Sequence, residues 1–513
     1  MSTTPEDGSP DDAMSEDGSP DDAMSQDGGF RDELLDELQD GAEDDDDPAE
    51  VDGPSEEDDA AAADQQRSLA ARLLEVERLV LARAPENDVD PSLEAITALM
   101  DLMGDPQKAF PVIHITGTNG KTSTARMVER LLRELGLRTG RFTSPHLVDV
   151  RERIAFDGEP IDAERFVAAW DDIAPYLAIV DERSRAADEA PINYFQVLTA
   201  MAFSAFADAP VDVAVVEVGL GGTWDSTNVA DGQVAVITPI GLDHERLLGS
   251  TVDAIAAEKA GIIKAGATAV LAEQPPEAAD VLAERVREVG ARPLVEGRQF
   301  GVLHREVAVG GQVVTVRGIG GDYADLYLPL HGAHQAHNLA TAIAAVEAFF
   351  GGGEQPLDLE LVQSAVAQMS SPGRLEVVRT SPTVVVDAAH NPAGTVVVAA
   401  ALQEAFSFRR LVGVVGVLRD KDAAGMLEVL EPVLDEVVVT ASTSARATDP
   451  EDLAAAARDV FGDDRVHVVR SLPDALELAV TLAEQDGEVG AGVLVTGSVT
   501  MAAEVRTLMG ARS

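Results

Sequence analysis

The stretch Val112-Ile113-His114-Ile115-Thr116-Gly117-Thr118-Asn119-Gly120-Lys121-Thr122-Ser123 constrains this chain more than any other. A β-branched run leads into a glycine-bounded loop, and a helical pattern follows. That order predicts a strand, a phosphate-cradling loop and a helix N-terminus. Backbone N–H groups and the positive helix end converge there and favour phosphate. Lys121 adds a point charge, and the Thr122 hydroxyl suits Mg²⁺. A strict Walker A loop needs glycine at position 115, where this chain has Ile115. The spacing is therefore the narrower Gly-Thr-Asn-Gly-Lys-Thr. A plain glycine-rich turn would account for neither Lys121 nor Thr122.

Charge narrows the partners. The formal net charge is −53, and the first 66 residues hold 26 acidic residues against one arginine, Arg31. Phosphate repulsion disfavours nucleic acid as a partner. The acidity continues beyond that segment and fits a surface adapted to high salt, a halophilic trait, where screening weakens self-repulsion. There are 5 lysines beside 33 arginines. Lysines that persist in such a background are candidates for chemistry: Lys121 in the loop, Lys259 and Lys264 in Glu-Lys-Ala-Gly-Ile-Ile-Lys, and Lys421 in Asp-Lys-Asp. Lys108 looks ordinary. The chain has no cysteine, which excludes disulfides and thiolate metal sites. No run of about 18 apolar residues and no basic leader is present, so a cytoplasmic protein without membrane contact is expected.

Residues 1–66 read as a disordered acidic tail, in which EDGSPDDAMS occurs twice in succession. A brief helix is expected over 30–38. Helices are predicted over 69–84, 93–103, 122–135, 163–177, 194–207, 253–263 and 334–350. Strands are predicted over 112–115, 211–218, 234–239 and 267–271, with a strand end at 141–144. Alternating strands and helices mean a mostly parallel sheet with ligands at the strands' C-terminal ends. Residues 297–330 alternate around glycines and predict antiparallel hairpins. A second α/β unit begins near 372, with strands near 375–380, 383–388, 411–417, 436–441, 466–469 and 492–496. No Gly-x-Gly-x-x-Gly follows any of them, so a dinucleotide domain is not expected. The expected divisions are 1–66, 67–371 and 372–513.

Polar residues at strand ends supply the other candidates. Ser144 in Thr-Ser-Pro-His-Leu is a hydroxyl that can reach a metal. Glu217 ends an otherwise apolar strand, and a buried acid there needs a partner. Mg²⁺ is the natural one; an arginine or a loop amide is the alternative. His244 is either a ligand or a core histidine, and its place beside Glu217 favours the ligand. Lys259, on the next helix, approaches the same edge. Asp387-Ala388-Ala389-His390 ends an apolar strand of the second unit. Arg374, at the joint between the units, either faces a triphosphate or forms a surface ion pair.

With these motifs in hand, the chain resembles the folylpolyglutamate synthase / dihydrofolate synthase family of the Mur ligase superfamily over roughly residues 68–510. The markers are GTNGKTS at 117–123, TSPHL at 143–147, RERI at 151–154, VEVGLGG at 216–222, GLDHERLLG at 241–249, EKAGIIK at 258–264, HQAHN at 334–338, PGRLE at 372–376, DAAHNP at 387–392, DKD at 420–422 and TGS at 496–498.

The resemblance implies an α/β architecture: a P-loop Mur-ligase-type ATPase domain plus a Rossmann-like C-terminal α/β domain, with ATP between them. It implies an ATP- and Mg²⁺-dependent ligase that joins L-glutamate to a folate or dihydropteroate, working as a monomer. Catalysis would fall to Lys121, His244, Lys259 and Arg374. ATP would be held by Gly117, Thr118, Asn119, Gly120, Lys121, Thr122, Ser123, Asn338, Arg374, Asp387 and His390. Ser144, Glu217, His244 and Lys259, the last as a carbamate, would hold the metal. Ser144, Pro145, His146 and Arg153 would meet the pterin substrate. Two positions depart from the family pattern: Gln196 stands where Glu is common, and Ala388 where Gly is common. Another Mur-type amide ligase is the runner-up, and a non-catalytic nucleotide-binding regulator the reading from a different class.

Overall fold

A computed structural model describes residues 56–85, 91–485 and 490–511. Most of the expected acidic tail, including the 30–38 segment, lies outside them. The first described helix, Glu56–Leu81, begins inside the range assigned to the tail. Its alanine run over residues 60–63 has high helix propensity. Its far end is anchored, because Val76 and Val80 are fully buried. No helix among the described residues is long and apolar enough to cross a membrane.

Eight strands form the first sheet: β1 Val112–Thr116, β2 Thr139–Phe142, β3 Ile154–Phe156, β4 Glu159–Pro160, β5 Val213–Glu217, β6 Gly232–Ile237, β7 Thr268–Leu271 and β8 Arg292–Val295. Their order is β4-β3-β2-β5-β1-β6-β7-β8. All pairs are parallel except those made by β3 and β4. β1 and β5 are buried on both faces, which is why they read as continuous β-branched runs. Because β1 lies between β5 and β6, the loops after all three strands emerge side by side. That topology brings the 117–123, 217–222 and 238–249 segments together.

β9 Gly301–Ala308, β10 Gly311–Arg317 and β11 Asp322–Leu328 form the expected antiparallel hairpins. The helix Ala333–Phe349 packs from there toward the helix that follows β1. The last sheet holds β12 Glu376–Thr380, β13 Thr383–Val386, β14 Arg410–Val415, β15 Glu436–Val439, β16 Val466–Val468 and β17 Ala491–Thr496, ordered β12-β13-β17-β14-β15-β16. All six coincide with the predicted strands. Only β12 runs antiparallel. Apolar clusters cover both faces of this sheet, so the polar residues of its central strands are confined to strand ends.

Candidate active site

Gly117 and Gly120 shape the turn after β1. Gly120 has φ +87°, and a Cβ there would lie 2.7 Å from Asn338 Oδ1. A Cβ on Gly117 would lie 1.9 Å from Thr238 Oγ1. Side chains are therefore excluded where the backbone must approach its neighbours. The Thr118 and Asn119 amides donate to the Pro239 carbonyl at 3.0 and 3.3 Å. They hold the loop against the segment after β6, so they are not open to a ligand here. The amides available for phosphate are those of the first turn of the helix Lys121–Glu134, which has no carbonyls behind it.

Lys121 Nζ donates to the Gly117 and Thr118 carbonyls at 3.1 and 3.3 Å. Burial holds its ammonium below the ordinary lysine value, against the attraction of Glu217 and Asp243. Glu217, 1 % exposed, sits at the end of β5. Its Oε1 accepts from Thr122 Oγ1 at 2.9 Å, and its Oε2 from the Ser144 amide at 3.3 Å. Burial pushes this carboxyl up, opposed by the Lys121 charge. A buried carboxylate beside a hydroxyl is a hard-oxygen donor pair that fits Mg²⁺.

Lys259 is also buried, and its Nζ donates to the Gly117 carbonyl at 2.7 Å. Burial, and then repulsion from Lys121, bring its pKa down to about 7. His244 stands apart from this group. Its Nε2 lies 3.3 Å from Lys421 Nζ, and burial lowers its pKa to about 4. Among the described residues no three His, Asp or Glu side chains are gathered as a ready metal cage. Ser144, Glu217 and the two lysines thus cluster around the phosphate loop, while His244 faces the other side of the cleft.

That other side belongs to the last sheet. Asp387, after β13, accepts from the Leu375 and Ala389 amides at 2.9 and 2.7 Å. Burial raises its pKa, opposed by the Arg374 charge. The turn it shapes presents His390, whose Nε2 lies 3.5 Å from Asp243 Oδ2. Asn391 caps the helix Pro392–Ala405 through the Gly394 amide. Its Nδ2 reaches Asn119 Oδ1 at 3.4 Å and Asp243 Oδ2 at 3.1 Å. Lys421 Nζ meets Asp243 Oδ1 at 2.6 Å. Lys421 stood among the lysines that are candidates for chemistry, without a stated role, while Asp243 and Asn391 lay within motifs and were assigned none. Burial alone would raise the Asp243 carboxyl, yet the His390 hydrogen bond and the His244 and Lys421 charges hold it far below the carboxylate range.

One cleft of about 1550 Å³ is lined by the phosphate loop, Ser144, Pro145, Glu217, Lys259, Asn338, Arg374, Asp387 and His390. That exceeds the roughly 300–1,000 Å³ of a single small-ligand pocket, so a nucleotide and a second substrate both fit. His146 and Arg153 are not among its lining residues. Arg153 Nε bonds to His146 Nδ1 at 3.0 Å, and the guanidinium lies over Tyr194, 5.1 Å from the ring centroid. Glu152 accepts from three successive amides, Leu147, Val148 and Asp149, at 2.8–2.9 Å. It fixes the loop that carries Ser144.

Residues 115–346 match the Mur ligase middle domain, and residues 373–499 the glutamate ligase domain of Mur ligases. The chain is 52% identical over 460 residues to a Mycobacterium tuberculosis dihydrofolate synthase/folylpolyglutamate synthase, covering 86% of this chain and 94% of that protein. It is 35% identical to a Lacticaseibacillus casei folylpolyglutamate synthase, covering 82% and 94%. The solved Mycobacterium tuberculosis folylpolyglutamate synthase complexed with ADP superposes with a TM-score of 0.83 at 51% identity, covering 87% and 99%. The solved FPGS–AMPPCP–folate complex gives 0.71 at 32% identity, covering 85% and 99%. These matches do not favour the regulator or another Mur-type ligase. A cleft with a phosphate loop on one wall and the Arg374–His390 segment on the other, on a chain this similar throughout, belongs to the folylpolyglutamate synthase / dihydrofolate synthase family of ATP-dependent Mur-type ligases.

Proposed function

We propose that this enzyme joins L-glutamate to the carboxylate of a folate or of dihydropteroate through an acyl phosphate. The observation that carries this reading is the single cleft flanked by Lys121 and Glu217 on one wall and Arg374 and Asp387 on the other. A substrate carboxylate oxygen attacks the γ-phosphorus of ATP. The bond to the β–γ bridging oxygen breaks, ADP leaves, and the acyl phosphate remains. The glutamate amine then attacks the acyl carbon, losing a proton, and phosphate departs. Lys121 and Arg374 are suited to the charge that spreads over the transferred phosphoryl oxygens. A closed cleft keeps water from the acyl phosphate.

Glu217, Thr122 and Ser144 would hold Mg²⁺, joined by His244 once it leaves Lys421. Bound Mg²⁺ would supply charge neutralisation at the phosphates. Lys259 fits the carbamate role, because a buried amine with a pKa near 7 is substantially neutral at neutral pH, the form that adds CO₂. Asn338, Asp387 and His390 are assigned to ATP. Ser144 and Pro145 are assigned to the pterin substrate directly, with His146 and Arg153 behind them. The functional division runs at 371/372. The enzyme is proposed to work as a monomer, and dependence on ATP fits the cytoplasm.

The test is ADP release in high salt with L-glutamate and either dihydropteroate or a reduced folate. Release that requires both glutamate and one of the pterins is expected. No release with either pterin overturns the substrate assignment.

A further inference from the structure

The Lys421 side chain is 6 % exposed, and its ammonium has two polar neighbours, Asp243 Oδ1 at 2.6 Å and His244 Nε2 at 3.3 Å. Both belong to the loop after β6, on the opposite wall of the cleft from Lys421 itself. Among the described residues it has no side-chain partner on its own wall. Asp243 is the mirror image. Beyond the His244 amide at 2.8 Å, its polar neighbours include Lys421, Asn391 and His390, all from the wall built on the last sheet. The contact between these two charges exists only while the two walls are together. This contact also bears on His244, whose Nε2 faces the ammonium.

We infer that Lys421 is a positioning residue that holds the two walls of the cleft together by docking on Asp243. The ligase reading explains what closure is for, but the contact itself can be tested without turnover. The chain has no cysteine, so two introduced thiols label it cleanly. Glu284→Cys on the helix Pro276–Val289 and Glu428→Cys on the helix Ala423–Leu430 are exposed positions on opposite sides. Spin-label distances between them, in the full chain without nucleotide, report closure.

Lys421→Met should give a longer and broader distance distribution, and Lys421→Arg, which keeps the cation, a narrower one than Met. Asp243→Asn should match Lys421→Met and carries the same expectation if that variant fails to fold by circular dichroism. The double variant should open no further than either single, the mark of one shared contact. In the ADP-release assay Lys421→Met should lower kcat on the order of tenfold, with KM for ATP little moved. An unchanged distance in Lys421→Met, or additive opening in the double variant, overturns the inference. Absence of ADP release from the unsubstituted enzyme would instead count against the ligase substrates and leave the distance result standing.

Discussion

Lys121 and Lys259 donate to one and the same carbonyl, that of Gly117, at 3.1 and 2.7 Å. Burial, and then the repulsion between these two ammonium groups, bring Lys259 down to about 7, and burial holds Lys121 below its ordinary value as well. This arrangement gives the site a pH dependence of its own.

Below pH 7 Lys259 is protonated in folded and unfolded chains alike. Between about 7 and its ordinary value near 10.5 the unfolded chain binds the extra proton, so stability contributed by this group rises with pH. Its largest slope is about 1.4 kcal/mol per pH unit. Lys259→Met should remove that slope, read as melting temperature against pH for the two proteins. Lys259→Arg keeps the charge but cannot form a carbamate. It should fail in ADP release, and a full rate from it dismisses the carbamate.

Lys121→Ala removes the ammonium nearest the helix N-terminus. Its cost belongs to the transferred phosphoryl group and should be roughly 10²–10³-fold in kcat. Single-turnover ADP release checks this, and a loss confined to KM for ATP would contradict it.

The Arg374 side chain lines the cleft and makes no hydrogen bond or ion pair among the described residues. Arg374→Ala should therefore leave global stability within about 0.5 kcal/mol. Its kcat should fall on the order of 10²-fold, as expected for an arginine acting on transition-state charge. Urea unfolding beside the kinetic assay separates the two effects, and a large loss of stability would show a structural role.

Truncation should have a sharp boundary. Removing residues 1–55 is expected to leave melting temperature and turnover unchanged. Removing residues 1–81 deletes Val76 and Val80, both fully buried, at about 1.5–3 kcal/mol for each side chain. Calorimetry of the two truncations tests this, and equal melting temperatures would contradict it.

What sequence made legible follows from burial. The central strands of both sheets stood out because apolar layers cover both their faces. The strands that escaped are β3, only three residues long, and two edges: β4 contains Pro160, and β8 begins Arg292-Pro293. Proline is tolerated where one side of the ladder is unpaired, so the apolar signal fades there. In the site, Lys121, Glu217 and Lys259 were visible as polar residues ending or following apolar runs. The Asp243–Lys421 pair was not, because its members are 178 residues apart and on different sheets. Gln196 illustrates a departure resolved by structure. Its side chain accepts from the Asn193 amide and its own amide donates to Asn193 Oδ1, each at 2.9 Å. An uncharged amide completes that capping box as well as a glutamate would.

The buried hydroxyls of Ser123 and Ser371 meet at 2.9 Å, and the Arg374 amide donates to the Ser371 carbonyl at 3.1 Å. Ser123 is in the first turn after the phosphate loop, and Ser371 opens the stretch that carries Arg374. With almost no solvent to replace that bond, a displacement of the helix start must either drag Arg374 along or leave two polar groups stranded. The connector between the sheets is thus a transmission rod rather than a slack tether.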